Sequence, residues 1–174
     1  MKTNSRTRFI NEVEVKEGAF VARRPFKMER ENRRQFVRLE ISAPMSLQTI
    51  KDIAGNFSPD GNSRVIPGLI LNVSVGGVLV EIGEAINEGD IVSMRFTLQE
   101  MEPLDNVLGL VKRVDHDSDG ILVGIEFITV RYLEDLFTKG EMDLLPDRYG
   151  DFDDAVRHVL SRYINRQAVS GGVE

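Results

Sequence analysis

The sequence contains no cysteine, which excludes disulfide staples, thiolate metal ligands and thiol nucleophiles. It also lacks any apolar run approaching the roughly 20 residues that a membrane-spanning helix needs. Its opening stretch, "MKTNSRTRF", has no hydrophobic segment of the kind a secretory signal requires. These absences predict a cytoplasmic protein with no membrane insertion. Histidine occurs only twice, so imidazole chemistry has little to draw on. No internal repeat or extended low-complexity tract interrupts the chain.

What is present is one chain of 174 residues, enough for a single substantial core with a small appendage. Its formal charge of −6 is unevenly spread. Residues 1–38 hold 11 Lys/Arg against 5 Asp/Glu, whereas residues 39–174 hold 11 against 23. A duplex-DNA or RNA binder carries a broad basic surface, and here the basic excess is confined to one end. The densest point is "RRQFVR" at 33–38. That knot fits a solvated tail end, a nucleic-acid contact or a local anion site, since the planar arginine fork offers several donors to phosphate at once.

From Phe36 the hydrophobic pattern takes the period of a strand. In "FVRLEI", Val37, Leu39 and Ile41 share one face, while Phe36, Arg38 and Glu40 point the other way. Pro44 argues against continuing this segment as a central strand. After the turn signal Pro59–Asp60–Gly61, residues 65–75 alternate again. There Leu69, Leu71, Val73 and Val75 fall on one parity, and Ile70, Asn72 and Ser74 on the other. Gly76 and Gly77 permit a reversal, and "VLVEI" resumes the strand up to a turn at Asn87–Asp90. "IVSMRFTL" at 91–98 is expected to bury Val92, Met94, Phe96 and Leu98. "VLGLVKRVD" and "ILVGIEF" flank the turn "HDSDG". Five or six short strands at hairpin spacing predict an all-β core, an antiparallel barrel or sandwich.

The period then changes. Residues 1–30 read as a leader with room for one or two short strands, and "VRYLEDLF" as a short helix. Residues 134–154, with eight Asp/Glu and two Lys/Arg, read as an acidic connection. From Phe152 the apolar positions 152, 156, 159, 160, 163 and 164 mark a helix, with Asp151 as its N-cap and a loose tail "AVSGGVE" after it. Its stripe is assigned to packing on the barrel, Tyr163 included.

Two short patterns remain. Arg34 and Arg38 form RxxxR, and Asn72, Ser74 and Gly77 form NxSxxG. Neither is specific alone. In this order, on the strands of a small barrel, they resemble the PilZ domain, a family of cyclic di-GMP receptors. The resemblance spans residues 31–127 and implies a six-stranded antiparallel β-barrel. A leader at 1–30 would precede it, and a helical extension with the acidic connection would follow at 128–170. It further implies that Arg34 and Arg38 contact the phosphates and guanines of cyclic di-GMP and that Arg33 adds a contact or stacks on a base. Asn72 and Ser74 would approach the ligand from the strand side, and Gly77 would keep the turn clear. Many members have Asp where this chain has Asn72; the amide removes a negative charge from an anion site.

The plainer readings are a solvent-exposed basic edge for the three arginines and an ordinary polar turn for Asn72–Gly77. Neither accounts for both patterns occurring together. Catalysis has little support. His116 in "DHDSDG" misses the calcium-loop spacing, His158 has no evident nucleophile nearby, and Asp153 and Asp154 suit a helix start. Together with the resemblance, which implies a receptor, this predicts a non-enzymatic protein with no cofactor or metal. Its ligand would be cyclic di-GMP, taken singly or as an intercalated pair. It would act as monomer or homodimer on a protein partner of the flagellar or exopolysaccharide machinery, and it would bind neither DNA nor RNA. A ligand-independent adaptor of the same family is the second expectation.

Overall fold

The computed structural model describes residues 13–16, 19–22, 38–59, 64–98, 103–118, 120–146 and 155–170. The chain divides into two compact units, residues 1–35 and 36–174. In the first, strands β1 (Val13–Lys16) and β2 (Ala19–Ala22) pair antiparallel, with Val13 opposite Ala22.

The second unit is built on six strands: β3 (Leu39–Lys51), β4 (Ile66–Ser74), β5 (Gly77–Ile82), β6 (Ile91–Phe96), β7 (Leu104–His116) and β8 (Ile121–Phe127). All neighbours are antiparallel, and the order β3-β4-β5-β8-β7-β6 closes on itself. Closure removes the exposed sheet edges that an open sheet of such apolar strands would present. The interior is filled by alternate residues from every strand, among them Leu47, Ile70, Val80, Met94, Val107 and Val123. Val92, Met94, Phe96 and Leu98 are all buried, as their alternation predicts, although the strand itself stops at Phe96.

Doublets such as Ile91–Val92 and Val107–Leu108 give one side chain to each face of the sheet. Val92 and Val107 enter the barrel, while Ile91 and Leu108 join Ile50 and Ile128 in a second, outer cluster. That cluster is covered by the short helices after β8. A 3-10 turn (Val130–Tyr132) leads into α1 (Leu133–Leu136), which contributes Leu133, and Phe137 follows it inward. Helix α2 (Lys139–Leu144) comes next. Helix α3 (Ala155–Ser170) lays Leu160, Tyr163 and Ile164 onto the barrel core, beside β3 and β4.

Four sequence expectations need correction. Pro44 lies inside β3, opposite Leu69 of β4. It is tolerated because β6 pairs with β3 only from Met45 onward, so at Pro44 one flank of the strand needs no N–H donor. In β4 the alternation does not run unbroken from 69 to 75. A bulge between Ile70 and Asn72 shifts the register, so that Ile70 and Val73 are both fully buried and Leu71 is only partly so. Strand β7 begins at Leu104 rather than Val107, across a bulge that sets one extra residue of β7 against Met94–Phe96 and holds Asn106 at φ 59°, a left-handed conformation that Asn tolerates. Finally, the acidic connection is helical at 139–144, and α3 runs to Ser170 through the expected loose tail. Asp151 and Phe152 lie outside the described residues.

Candidate ligand site at the start of the barrel

The register of β3 on β4 fixes which polar side chains meet. Leu39 opposes Val73, and both belong to the barrel core. The next pair, Glu40 and Asn72, therefore projects from the outer face, because opposed residues of an antiparallel pair share a side and neighbours alternate. Arg38, one residue before Leu39, stands level with Ser74, one residue after Val73. Arg38 and Glu40 are exposed and Asn72 is half-buried.

The hairpin beyond Asn72 is held by its own residues. Ser74 is buried, and its hydroxyl oxygen accepts from the Gly76 N–H at 3.2 Å and donates to the Gly77 carbonyl at 3.3 Å. The Phe127 N–H donates to the Gly76 carbonyl at 2.9 Å, tying the turn to β8. A Cβ on Gly77 would run into the Ile125 carbonyl oxygen. The glycine is thus required by the neighbouring strand, whatever else approaches the turn. Arg38, Asn72, Ser74 and Gly77 are brought together at one end of β3 and β4. Arg33 and Arg34 lie outside the described residues.

A cleft of about 570 Å³ runs along the other flank of the same segment. Its walls are residues 39–44 of β3, Thr97 and Leu98 beyond β6, and Tyr163 and Gln167 of α3. It exists because β3 has no β6 partner before Met45. Neither Asn72 nor Ser74 lines it.

Other polar groups are committed to holding the fold. Asp90 is buried, and its carboxylate accepts from the Ile53 N–H and the Asn87 N–H, each at 3.0 Å. Lys51 donates to Glu141 at 2.8 Å and to the Leu136 carbonyl at 3.1 Å, and lies over the Phe137 ring. His116 and His158 are exposed, and no group of three or more metal-ligating side chains converges among the described residues.

Residues 32–137 match the PilZ domain, which is more than half of the chain. The chain belongs to the PilZ domain family. Among solved structures, the inhibitor of motility from Bacillus subtilis (MotI/DgrA) is 16% identical, with a TM-score of 0.53 over 90% of this chain and 57% of its own. The PilZ protein thus spans just over half the length of that relative. The PilZ domain of YcgR from Escherichia coli, solved with c-di-GMP, is 12% identical, with a TM-score of 0.43 over 78% of this chain and 97% of its own. No curated protein matches the sequence. The PilZ match begins just before Arg33 and ends at Phe137, so it takes in the barrel and the α1 part of the outer cluster's covering and stops short of α2.

Sequence reading missed two features of this PilZ protein that had a visible signal and one that had none. "TKGE" at 138–141 is a capping box, Thr138 accepting from the Glu141 N–H and Glu141 from the Thr138 N–H. Asp90 closes the Asn87–Asp90 turn signal, but one of its two backbone donors is Ile53, far away in sequence. The opposition of Glu40 and Asn72 is a matter of strand register, which periodicity does not carry.

Proposed function

We propose that this PilZ protein is a non-catalytic receptor for cyclic di-GMP. The observation that carries the reading is the register of β3 on β4, which brings Arg38 level with the Asn72–Ser74 end of a barrel in a family of such receptors. Cyclic di-GMP offers two phosphates and two guanines, and arginine engages both kinds of surface. In this reading Arg34 and Arg38 contact phosphates and guanine edges, with Arg33 adding a contact, while Asn72 and Ser74 approach from the strand. Ligand charge neutralises the arginine segment and draws it over the barrel. The ordered segment then presents a new surface to a protein partner of the flagellar or polysaccharide-synthesis machinery, an order-on-binding switch.

A second reading is a ligand-independent adaptor. It is favoured by the fact that Ser74 and Gly77 each have a purely structural task in the hairpin, so their pattern would persist without a ligand. Calorimetric titration with cyclic di-GMP, GTP and cyclic di-AMP separates the two. A receptor binds cyclic di-GMP selectively, at a molar ratio that distinguishes one ligand from a pair. The Arg34→Ala/Arg38→Ala variant is expected to lose about 100-fold or more in affinity, two charge-assisted contacts being removed. Folded protein that binds none of the three leaves the adaptor reading.

A further inference from the structure

We propose that Glu40 reads the guanine base of the ligand and sets the preference for guanine over adenine; the inference rests on the receptor reading above. Glu40 is an exposed carboxylate between Arg38 on its own strand and Asn72 directly opposite, on the face where the ligand is proposed to lie. A negative group in an anion site repels the phosphates. It favours binding of the ligand only if it meets donors on that ligand.

The rest of the barrel shows what an acid next to a base ordinarily does. On β7, Arg113 and Asp115 have the same two-residue spacing as Arg38 and Glu40, and they join in an ion pair. Across strands, Arg95 pairs with Asp105 at 2.7 Å and Lys112 with Glu126 at 3.4 Å. Among the described residues Glu40 has no ion pair or hydrogen bond to its side chain, with Arg38 or any other. The Asn72 amide likewise has no side-chain hydrogen bond to a described residue. Base, acid and amide therefore stand on one face, none of the three with a side-chain ion pair or hydrogen bond to a described residue.

Guanine matches that set. Its N1–H and N2 amino group lie side by side, and the two oxygens of one carboxylate accept both. Adenine presents a lone pair at N1 and so faces the carboxylate with repulsion. Arginine suits the opposite edge of guanine, donating to O6 and N7, and Arg38 lies two residues from Glu40, roughly 7 Å along the strand. The Asn72 amide, with both donors and an acceptor, can bracket the same base.

The test is calorimetry of wild-type protein, Glu40→Gln and Glu40→Asp with cyclic di-GMP and cyclic di-AMP, with thermal melts run alongside to check that each variant is folded. Wild-type binding of cyclic di-GMP upholds the receptor reading and opens the comparison; no wild-type binding overturns that reading and this inference with it. Glu40→Gln is expected to weaken cyclic di-GMP by about tenfold, as for loss of one bidentate base contact, and to narrow the gap to cyclic di-AMP. Glu40→Asp, which keeps the charge but shortens the reach, is expected to weaken it as well. Cyclic di-GMP binding that is unchanged or tighter in Glu40→Gln assigns the carboxylate to simple repulsion and overturns the proposal. Unchanged binding in Glu40→Asp does the same.

Discussion

Gly77 illustrates how one residue can carry a fold and a motif together. Its backbone pairs with Ser74 on one side and Glu126 on the other, and the Ile125 carbonyl occupies the space a side chain would need. Gly77→Ala is therefore expected to cost about 3 kcal/mol, the upper part of the range for forced overpacking, because the obstacle is backbone rather than a movable side chain. Urea denaturation measures this, and an unchanged midpoint contradicts it. Loss of ligand binding in that variant would then report a damaged hairpin rather than a missing contact. Arginine substitutions at the exposed position 38 avoid this ambiguity, since Arg38 has no packing role in the barrel core.

At the scale of elements, α2 is the instructive case. Its sequence is acidic and contains a glycine, so intrinsic propensity argues weakly for it. Its capping box satisfies orphan amides at the start, Met142 and Leu145 reach the outer cluster, and Lys51 of β3 supplies the counter-charge to Glu141. Removing the cap by Thr138→Ala is expected to cost about 1 kcal/mol, seen as faster amide exchange in residues 139–144 while the barrel strands stay protected. The same contacts give α2 a pH response. The Lys51 hydrogen bond, and after it the Thr138 N–H, holds the Glu141 carboxyl below the ordinary glutamate value. A depressed folded value means that the stabilisation is present above the unfolded-state value and is lost as pH falls through the folded one. Protection factors of the α2 amides, taken relative to the intrinsic exchange rate at each pH, should therefore fall in acid, and Glu141→Gln should remove that fall.

For the whole molecule, a ligand that binds only the folded state stabilises it by mass action. Cyclic di-GMP at 100 times its dissociation constant should add about 2.7 kcal/mol, or roughly 5–10 °C in thermal midpoint for a chain of this size. Arg34→Ala/Arg38→Ala should melt at the same temperature with and without the ligand. A midpoint in wild-type protein that ignores the ligand at this excess would count against the receptor reading.

The sequence by itself determined the class of fold, because alternation of apolar residues is a local property. The runs at 91–98 and 121–127 assign their inward side chains without knowledge of any partner, and the 3.6-residue stripe through Leu160, Tyr163 and Ile164 does the same for α3. It also determined that Asn72, Ser74 and Gly77 belong near a reversal, since turn chemistry is local as well. Only the tertiary structure decided what breaks the period. Pro44 is admitted where β3 lacks a second partner, and Ile70 is buried because a bulge resets β4. Helix α2 forms where Lys51, many residues earlier, meets Glu141. The tertiary structure also decided that Glu40 faces Asn72. Register, bulges and long-range charge pairs depend on which strand lies alongside, and that neighbour is chosen by closure of the barrel rather than by any stretch of chain read alone.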